Sequence, residues 1–123
     1  MGRKVFENKI EYRNDKGELH RLDGPARTYT DTGSKEWWVN GKQHRIDKPA
    51  AEYGNGGVAW YHEGVLHRLD GPAVSGEDED GIVWFEWYIN NKPLSKVDFD
   101  NHPEVKLHKR RKIINRVINN KNK

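Results

Sequence analysis

Histidine is followed directly by arginine at three places in the chain, and each pair is followed two residues later by aspartate. The three sets are His20, Arg21 and Asp23; His44, Arg45 and Asp47; and His67, Arg68 and Asp70. A proton-transferring histidine beside a charge-stabilising cation is the minimum equipment of a ribonuclease. Catalysis needs one asymmetric site, whereas this set occurs in three copies. We therefore predict a structural role, with each histidine packed beside aromatic rings and each arginine paired with an aspartate.

A metal site built from these histidines is not expected. Equivalent positions two strands apart in a sheet are separated by about 10 Å, whereas two nitrogens on one zinc ion lie within about 4 Å of each other. The chain has no cysteine, which excludes thiolate ligands and disulfides. The sequence accordingly predicts no metal, no cofactor and no catalytic residue, and so a protein that is not an enzyme.

Paired aromatic residues are the second recurring feature, at Trp37-Trp38, Trp60-Tyr61 and Trp87-Tyr88. Neighbours on a strand point to opposite faces, so the pairs form two columns. Either both columns are core, with the C-terminal tail over one face, or one column is a contact surface for a partner. In the second case the predicted contact residues are Trp38, Tyr61 and Tyr88. The predicted core column is then Trp37, Trp60 and Trp87, although the opposite assignment fits the pattern nearly as well.

The spacing of these motifs identifies a repeat. The three histidines are 24 and 23 residues apart, a period that is typical of solenoids and arrays. Residues 86–92 match residues 36–42, but Pro-Leu-Ser then replaces the His-Arg segment, as expected of a terminal copy. The units cover about residues 10–30, 33–53, 56–77 and 82–95.

Each unit is predicted to be a β-hairpin. Asn40-Gly41 favours a two-residue type I′ turn, and Glu63-Gly64 and Asn90-Asn91 occupy the same place. The Asp-Gly-Pro segment ends each hairpin, because glycine permits a bend and proline donates no hydrogen bond. The predicted fold is mainly β, an antiparallel meander of about four tandem hairpins over residues 1–98.

Residues 96–123 are predicted to be a basic amphipathic helical segment. Ser95 can cap a first helix and Pro103 can begin a second. One stripe of the second helix is aliphatic, with Leu107, Ile113, Ile114, Val117 and Ile118. The rest is largely basic, with Lys109, Arg110, Arg111, Lys112 and Arg116. Two interpretations are open: the stripe docks on the sheet, or the helix contacts nucleic acid or a protein partner.

The distribution of charge separates this tail from the rest of the chain. Residues 100–123 contain eight Lys and Arg residues and two acidic ones, which gives a net charge of +6, whereas the first 99 residues have a net charge of −3. Mean hydropathy is −1.10, and no apolar run resembles a signal peptide or a membrane span. The sequence therefore predicts a cytoplasmic protein that does not bind membranes.

Units of the form Trp-Tyr-x-x-Gly-x-x-His-Arg-x-Asp-Gly-Pro-Ala resemble the repeats of many bacteriophage and giant-virus proteins. They are also similar in plan to the MORN repeat, although the Tyr-x-Gly and Gly-x-Gly signature of that repeat is absent. The resemblance covers about residues 10–98 and implies an interaction or scaffold module. It implies a small phage-type accessory protein that binds and modulates a host protein, for example as a counter-defence inhibitor in the host cytoplasm. Self-association is compatible with such a module.

Overall fold

The computed structural model describes residues 2–121. These form thirteen strands, namely β1 (Arg3–Val5), β2 (Lys9–Tyr12), β3 (Arg27–Tyr29), β4 (Lys35–Glu36), β5 (Trp38–Val39), β6 (Lys42–Gln43), β7 (Ala51–Glu52), β8 (Val58–Ala59), β9 (Tyr61–His62), β10 (Val65–Leu66), β11 (Val74–Glu77), β12 (Val83–Ile89) and β13 (Lys92–Leu94). Two helices follow, α1 (Lys96–Asp100) and α2 (Pro103–Lys121). The predicted fold class, a meander of β-hairpins with a C-terminal helix, is confirmed.

Nine of the strands form one antiparallel sheet. Its order is β1-β2-β3-β4-β7-β8-β11-β12-β13, and the hairpins β5-β6 and β9-β10 pair separately. Except where a small hairpin intervenes, each strand pairs antiparallel with its neighbour in the sequence. The array is therefore a chain of local contacts between successive units.

The separate small hairpins arise from the way the chain leaves and rejoins the sheet at a tryptophan. The Trp37 N–H donates to the Ala50 carbonyl at 2.8 Å, and the Trp37 carbonyl accepts from the His44 N–H at 3.0 Å. The chain therefore forms a loop between His44 and Ala50, both of which are hydrogen-bonded to Trp37. Trp60 makes the same two bonds, to Ala73 and His67. We call residues 20–26, 44–50 and 67–73 the first, second and third motif loops.

The hairpin tips have the predicted turn conformation. Asn40 and Gly41 have φ of 48° and 79°, and Glu63 and Gly64 have 48° and 88°. Positive φ at both central residues defines the type I′ turn, which matches the twist of the strands. The N–H of the second turn residue also reaches the preceding unit, since Gly41 donates to the Leu19 carbonyl at 2.9 Å.

The two helices close the C-terminal end of the array. The Ser95 hydroxyl accepts from the Asp98 N–H, as the predicted cap requires. Phe99 of α1 and Val105 in the first turns of α2 are buried against Ile89, together with the partly buried Leu69, Trp87 and Leu94. This cluster covers one face of the last hairpin.

Beyond this cluster α2 leaves the sheet. Its predicted aliphatic stripe is exposed by 44–57% at Leu107, Ile113, Ile114, Val117 and Ile118. The interpretation that this stripe docks on the sheet is therefore wrong for the described residues. The contact instead uses α1 and Val105, because the short connection after β13 brings these residues over the last hairpin first. The last two residues of the predicted helical segment lie outside the described residues.

Candidate functional site

Each motif loop is folded onto an aromatic ring by its arginine. The guanidinium carbon lies 4.0 Å from the ring centre of Tyr12 for Arg21, 3.7 Å from that of Trp37 for Arg45 and 3.9 Å from that of Trp60 for Arg68. The same guanidinium donates to the carbonyl of the proline four residues later, at 3.1–3.3 Å. Cation–π contact and hydrogen bond together hold the loop closed over the ring.

The motif histidines join neighbouring units. Nδ1 of His20, His44 and His67 accepts the N–H of Asn40, Glu63 and Asn90 respectively, at 3.0–3.1 Å. Each donor is the first turn residue of the next hairpin. These bonds therefore tie each motif loop to the tip of the following hairpin through the lone pair of Nδ1.

The motif aspartates have three different surroundings. Asp23 pairs with its own Arg21, Nε to Oδ1 at 2.9 Å. In the second loop Arg45 pairs with Glu52 instead, at 3.1 Å. Asp70 is bound by His108 and Lys112 of α2, both at 2.8 Å. The predicted arginine–aspartate pairing thus forms in the first loop only. In the second loop Glu52 pairs with the arginine, and in the third loop α2 pairs with the aspartate.

The two aromatic columns occupy opposite faces, as predicted, and their environments differ. Trp37 and Trp60 lie under arginines, and Trp87 packs on the helical cluster. The other column is half-buried, and among residues 2–121 the helical cluster lies on the opposite face of the sheet. This column consists of Trp38, Tyr61 and Tyr88.

Three further aromatic residues share the face of this second column. Residues two apart on a strand share a face, and so do cross-strand partners. Arg27, Glu36, Ala51, Ala59, Val74 and Glu86 are cross-strand partners in one row, and the additional rings lie two residues from three of them. We call the complete set the aromatic face: Tyr29, Trp38, Tyr53, Tyr61, Trp84 and Tyr88. Tyr53 and Trp84 are 41% and 43% exposed.

A charge network lies at one end of this face. Glu11 is 1% exposed and accepts from Arg13 at 3.0 Å and from Arg27 at 2.8 Å. Arg27 also bonds Glu36 at 3.0 Å, and Glu36 accepts the Trp38 indole N–H at 3.2 Å. Although burial opposes ionisation of Glu11, the two guanidinium groups outweigh it and lower its pKa. The network thus holds the Trp38 ring in place and puts positive and negative charges at fixed positions beside it.

Two phenols of the aromatic face are affected by their surroundings. Burial raises the pKa of Tyr53, and neighbouring Tyr61 adds to the effect. Burial likewise raises the pKa of Tyr61, helped by the Glu36 carboxylate. Both side chains therefore stay neutral hydroxyl groups that can donate a hydrogen bond to a partner.

The basic residues of α2 fall into two groups. Lys112 faces the array and pairs with Asp70. Within residues 2–121 no ion pair forms at the four other predicted basic residues, which are all exposed: Lys109, Arg110, Arg111 and Arg116.

Sequence reasoning missed the Glu11–Arg27–Glu36 network. The sequence contains a signal for this network, because Glu11, Glu36 and Glu86 each directly precede an aromatic residue and Arg27 follows Ala26. Only the register of the sheet brings these charges together. Among the described residues no three His, Asp or Glu side chains converge as metal ligands.

Comparisons with protein families, curated proteins and solved structures found no match to this chain. Across the described part, neither helix is long and apolar enough to cross a membrane.

Proposed function

We propose that this protein is a non-enzymatic binding protein that uses its aromatic face to bind another protein. The observation that carries the proposal is the placement of six aromatic side chains on one face, opposite the face that the arginines and helices cover. Tyrosine and tryptophan are enriched at binding hot spots because they bury large areas with few rotatable bonds.

The charges around the aromatic face suit a protein partner. The ion pairs of Arg27 with Glu11 and Glu36 give that end of the face fixed positive and negative positions. Complementary charges on a partner set orientation and association rate more than affinity. The rings would supply the affinity and the network the orientation.

The resemblance of the motif to phage and giant-virus repeats supports a more specific role. By that analogy the protein is a small phage-type accessory protein that acts in the host cytoplasm. It would bind and modulate a host protein, and a host defence protein is the partner class that we propose. Fold-level analogy alone supports this step.

Neighbouring residues on opposite faces allow a matched test of the binding face. In Tyr61→Ala the aromatic face loses a ring, whereas in Trp60→Ala the ring under Arg68 is lost. We expect Tyr61→Ala to reduce capture of the partner from the native host by about 30-fold or more with little change in melting temperature. Trp60→Ala should lower the melting temperature more. Full capture by Tyr61→Ala would contradict the proposal, and so would equal unfolding of both variants.

A photo-crosslinking residue extends this test to the intact complex. Placed at Tyr53, which is 41% exposed on the aromatic face, it should crosslink the partner in cells. Placed at Ile46, which is 75% exposed on the second motif loop, it should not. A crosslink from position 46 alone would move the binding surface to the loops.

A second candidate function is nucleic-acid binding through α2. The exposed basic residues Lys109, Arg110, Arg111 and Arg116 favour it, since phosphate contacts release counterions and give affinities that fall steeply with salt. A filter-binding assay between 50 and 200 mM salt tests it, with Arg110→Gln/Arg111→Gln as the variant. A ribonuclease is the least supported function, because Nδ1 of each motif histidine accepts a backbone N–H.

A further inference from the structure

One cross-strand pair recurs along the aromatic face, and its three copies differ in charge. The first member directly follows the alanine that ends a motif loop, and the second directly precedes an aromatic pair. The three pairs are Arg27 with Glu36, Ala51 with Ala59, and Val74 with Glu86. The first is an ion pair and the second is neutral. In the third, a carboxylate stands opposite an aliphatic side chain.

The first pair shows how a cation binds on this face. Arg27 Nη1 donates to the Glu36 carboxylate at 3.0 Å. The guanidinium carbon lies 5.9 Å from the ring centre of Tyr29 and 5.8 Å from that of Trp38. Trp38 also donates its indole N–H to Glu36 at 3.2 Å. The guanidinium thus contacts two rings and pairs with a carboxylate that one of these rings holds in place.

Glu86 has a similar setting without an arginine. The Tyr88 hydroxyl donates to Glu86 at 3.4 Å, and Trp84 lies two residues away on the same strand and face. Glu86 is exposed. Within residues 2–121 no lysine or arginine pairs with its carboxylate, and Tyr88 alone donates to it. We call Trp84, Glu86 and Tyr88 the acidic aromatic site.

Trp84 stands in for the tyrosine ring of the first pair. Gly76 follows Val74 by two residues, as Tyr29 follows Arg27. A Cβ atom on Gly76 would lie 2.6 Å from the Trp84 ring, so this ring covers the space that a side chain at position 76 would take. Two rings and a carboxylate therefore recur at the third pair, and only the guanidinium has no counterpart.

The chain around this site is acidic. Residues 71–91 contain five acidic residues and no lysine, arginine or histidine. Lys92 follows, but its cross-strand partner Ile89 is buried in the helical cluster on the opposite face. A cation from outside the chain therefore meets an attractive local field without a competing cation on the same strands.

Guanidinium is the cation that suits these groups. It is planar, stacks on aromatic rings and pairs with a carboxylate through two N–H groups, whereas the lysine ammonium is a compact, strongly hydrated charge. We propose that the protein partner inserts an arginine side chain at the acidic aromatic site, where it pairs with Glu86 and lies against Trp84 and Tyr88. This inference rests on the proposed function, since the site is part of the aromatic face.

Titration with N-acetyl-arginine amide tests the site, with the Trp84 indole N–H signal followed by NMR of the full-length protein. The matched probe is N-acetyl-citrulline amide, which has a similar shape and no charge. We expect saturable binding of the arginine probe and at least about fivefold weaker binding of the citrulline probe. Glu86→Gln should weaken the arginine probe as much, whereas Glu7→Gln changes an exposed glutamate of the first turn and should not. Equal binding of the two probes, or no effect of Glu86→Gln, would overturn the proposal.

An arginine supplied from within the chain gives a second test. Val74→Arg places it opposite Glu86, as Arg27 stands opposite Glu36, and Val74→Leu is the neutral control. We expect Val74→Arg to bind the arginine probe at least about fivefold more weakly than Val74→Leu. Equal binding by the two variants would contradict the assigned position. If Val74→Arg melts early, Glu86→Gln decides alone.

The captured partner separates this inference from the proposed function. Glu86→Gln should bind it at least about tenfold more weakly than Glu7→Gln does. If Tyr61→Ala loses the partner while Glu86→Gln retains it, the aromatic face binds without this arginine and the inference is overturned. The reverse result would overturn the six-ring binding face and support the arginine site. A wild-type dimer in sedimentation equilibrium that Glu86→Gln dissociates would assign the arginine to a second copy and overturn the proposal.

Discussion

The first and third motif loops have the same seven residues and different surroundings. In both, the arginine covers an aromatic ring and bonds the proline carbonyl, and the histidine accepts an N–H from the next hairpin. Leu22 of the first loop is nevertheless 80% exposed, whereas Leu69 of the third packs on Phe99 and Val105.

This difference shows that the conformation of the loop and the burial of its leucine are determined by different parts of the chain. The heptapeptide determines the conformation of the loop, because all its recurring bonds run to residues within one unit of it. Burial of its leucine depends on α1 and α2, which only the last units contact. A repeat provides the same surface at every step, and a terminal segment decides where that surface is covered.

The largest expected effect comes from removing Phe99, the α1 side chain that packs in one cluster with Ile89 and with Leu69 of the third motif loop. Phe99→Ala should lower the free energy of unfolding by about 3–5 kcal/mol, since Phe99 is 3% exposed and its removal leaves a cavity. Leu22→Ala on the first motif loop should change the free energy of unfolding by less than about 0.5 kcal/mol, because Leu22 is 80% exposed. Urea denaturation measures both. Equal losses would mean that the surroundings of the first and third motif loops are alike in solution, which would contradict the comparison.

Much of the fold was predictable because the sequence repeats. The turns at Asn40-Gly41 and Asn90-Asn91 and the cap at Ser95 follow from local preferences, and all three form as predicted. The position of α2 was not predictable. Its stripe has helical periodicity, but periodicity does not specify which side of a helix packs, and Val105 lies off the predicted stripe.

The candidate site was predictable in part for the same reason. Alternation along strands placed Trp38, Tyr61 and Tyr88 in one column, but the covering of Trp37 by Arg45 needed the course of the loop. The aspartates show the limit most clearly. Asp23 and Asp70 have identical sequence neighbours from four residues before to three after, yet Asp23 binds Arg21 and Asp70 binds α2. Local sequence cannot distinguish them.

We expect acidification to weaken the hydrogen bond between His67 of the third unit and Asn90 of the fourth unit. Burial, with His62 nearby, lowers the pKa of His67 below its ordinary 6.5 and outweighs the opposite effect of Glu104. The unfolded chain then binds this proton more readily, so the contribution of His67 is full above pH 6.5 and falls as the pH drops below it.

His67→Ala tests this joint directly. At pH 8 it should cost about 1 kcal/mol, the value of one lost hydrogen bond to Asn90. The difference from the wild type should shrink at pH 5, as thermal melts at the two values would measure. His20→Ala removes the equivalent bond to Asn40 in the first motif loop and is the matched control at pH 8. A cost independent of pH would show that the histidine acts through packing alone.

The smallest effect concerns Asp70 of the third motif loop, which pairs with α2. Partial burial raises the pKa of Asp70, but hydrogen bonds from Lys112 and His108 outweigh it and lower the pKa below the ordinary 3.8. The stabilisation is therefore present above pH 3.8 and lost as the pH falls through the lowered value. Because the Asp70 side chain is 47% exposed, Asp70→Asn should cost only about 0.2–1 kcal/mol.

Salt and a matched variant connect this small effect to helix docking. The cost of Asp70→Asn should diminish in 1 M salt, where the Debye length is about 3 Å, as urea denaturation at low and high salt would show. Asp23→Asn loses only a local contact with Arg21, so its effect should not change when α2 is truncated after Lys106. The effect of Asp70→Asn should vanish in that truncated chain, because His108 and Lys112 are then gone. If it persists, Asp70 stabilises its own loop, and the two identical heptapeptides differ less than their surroundings suggest.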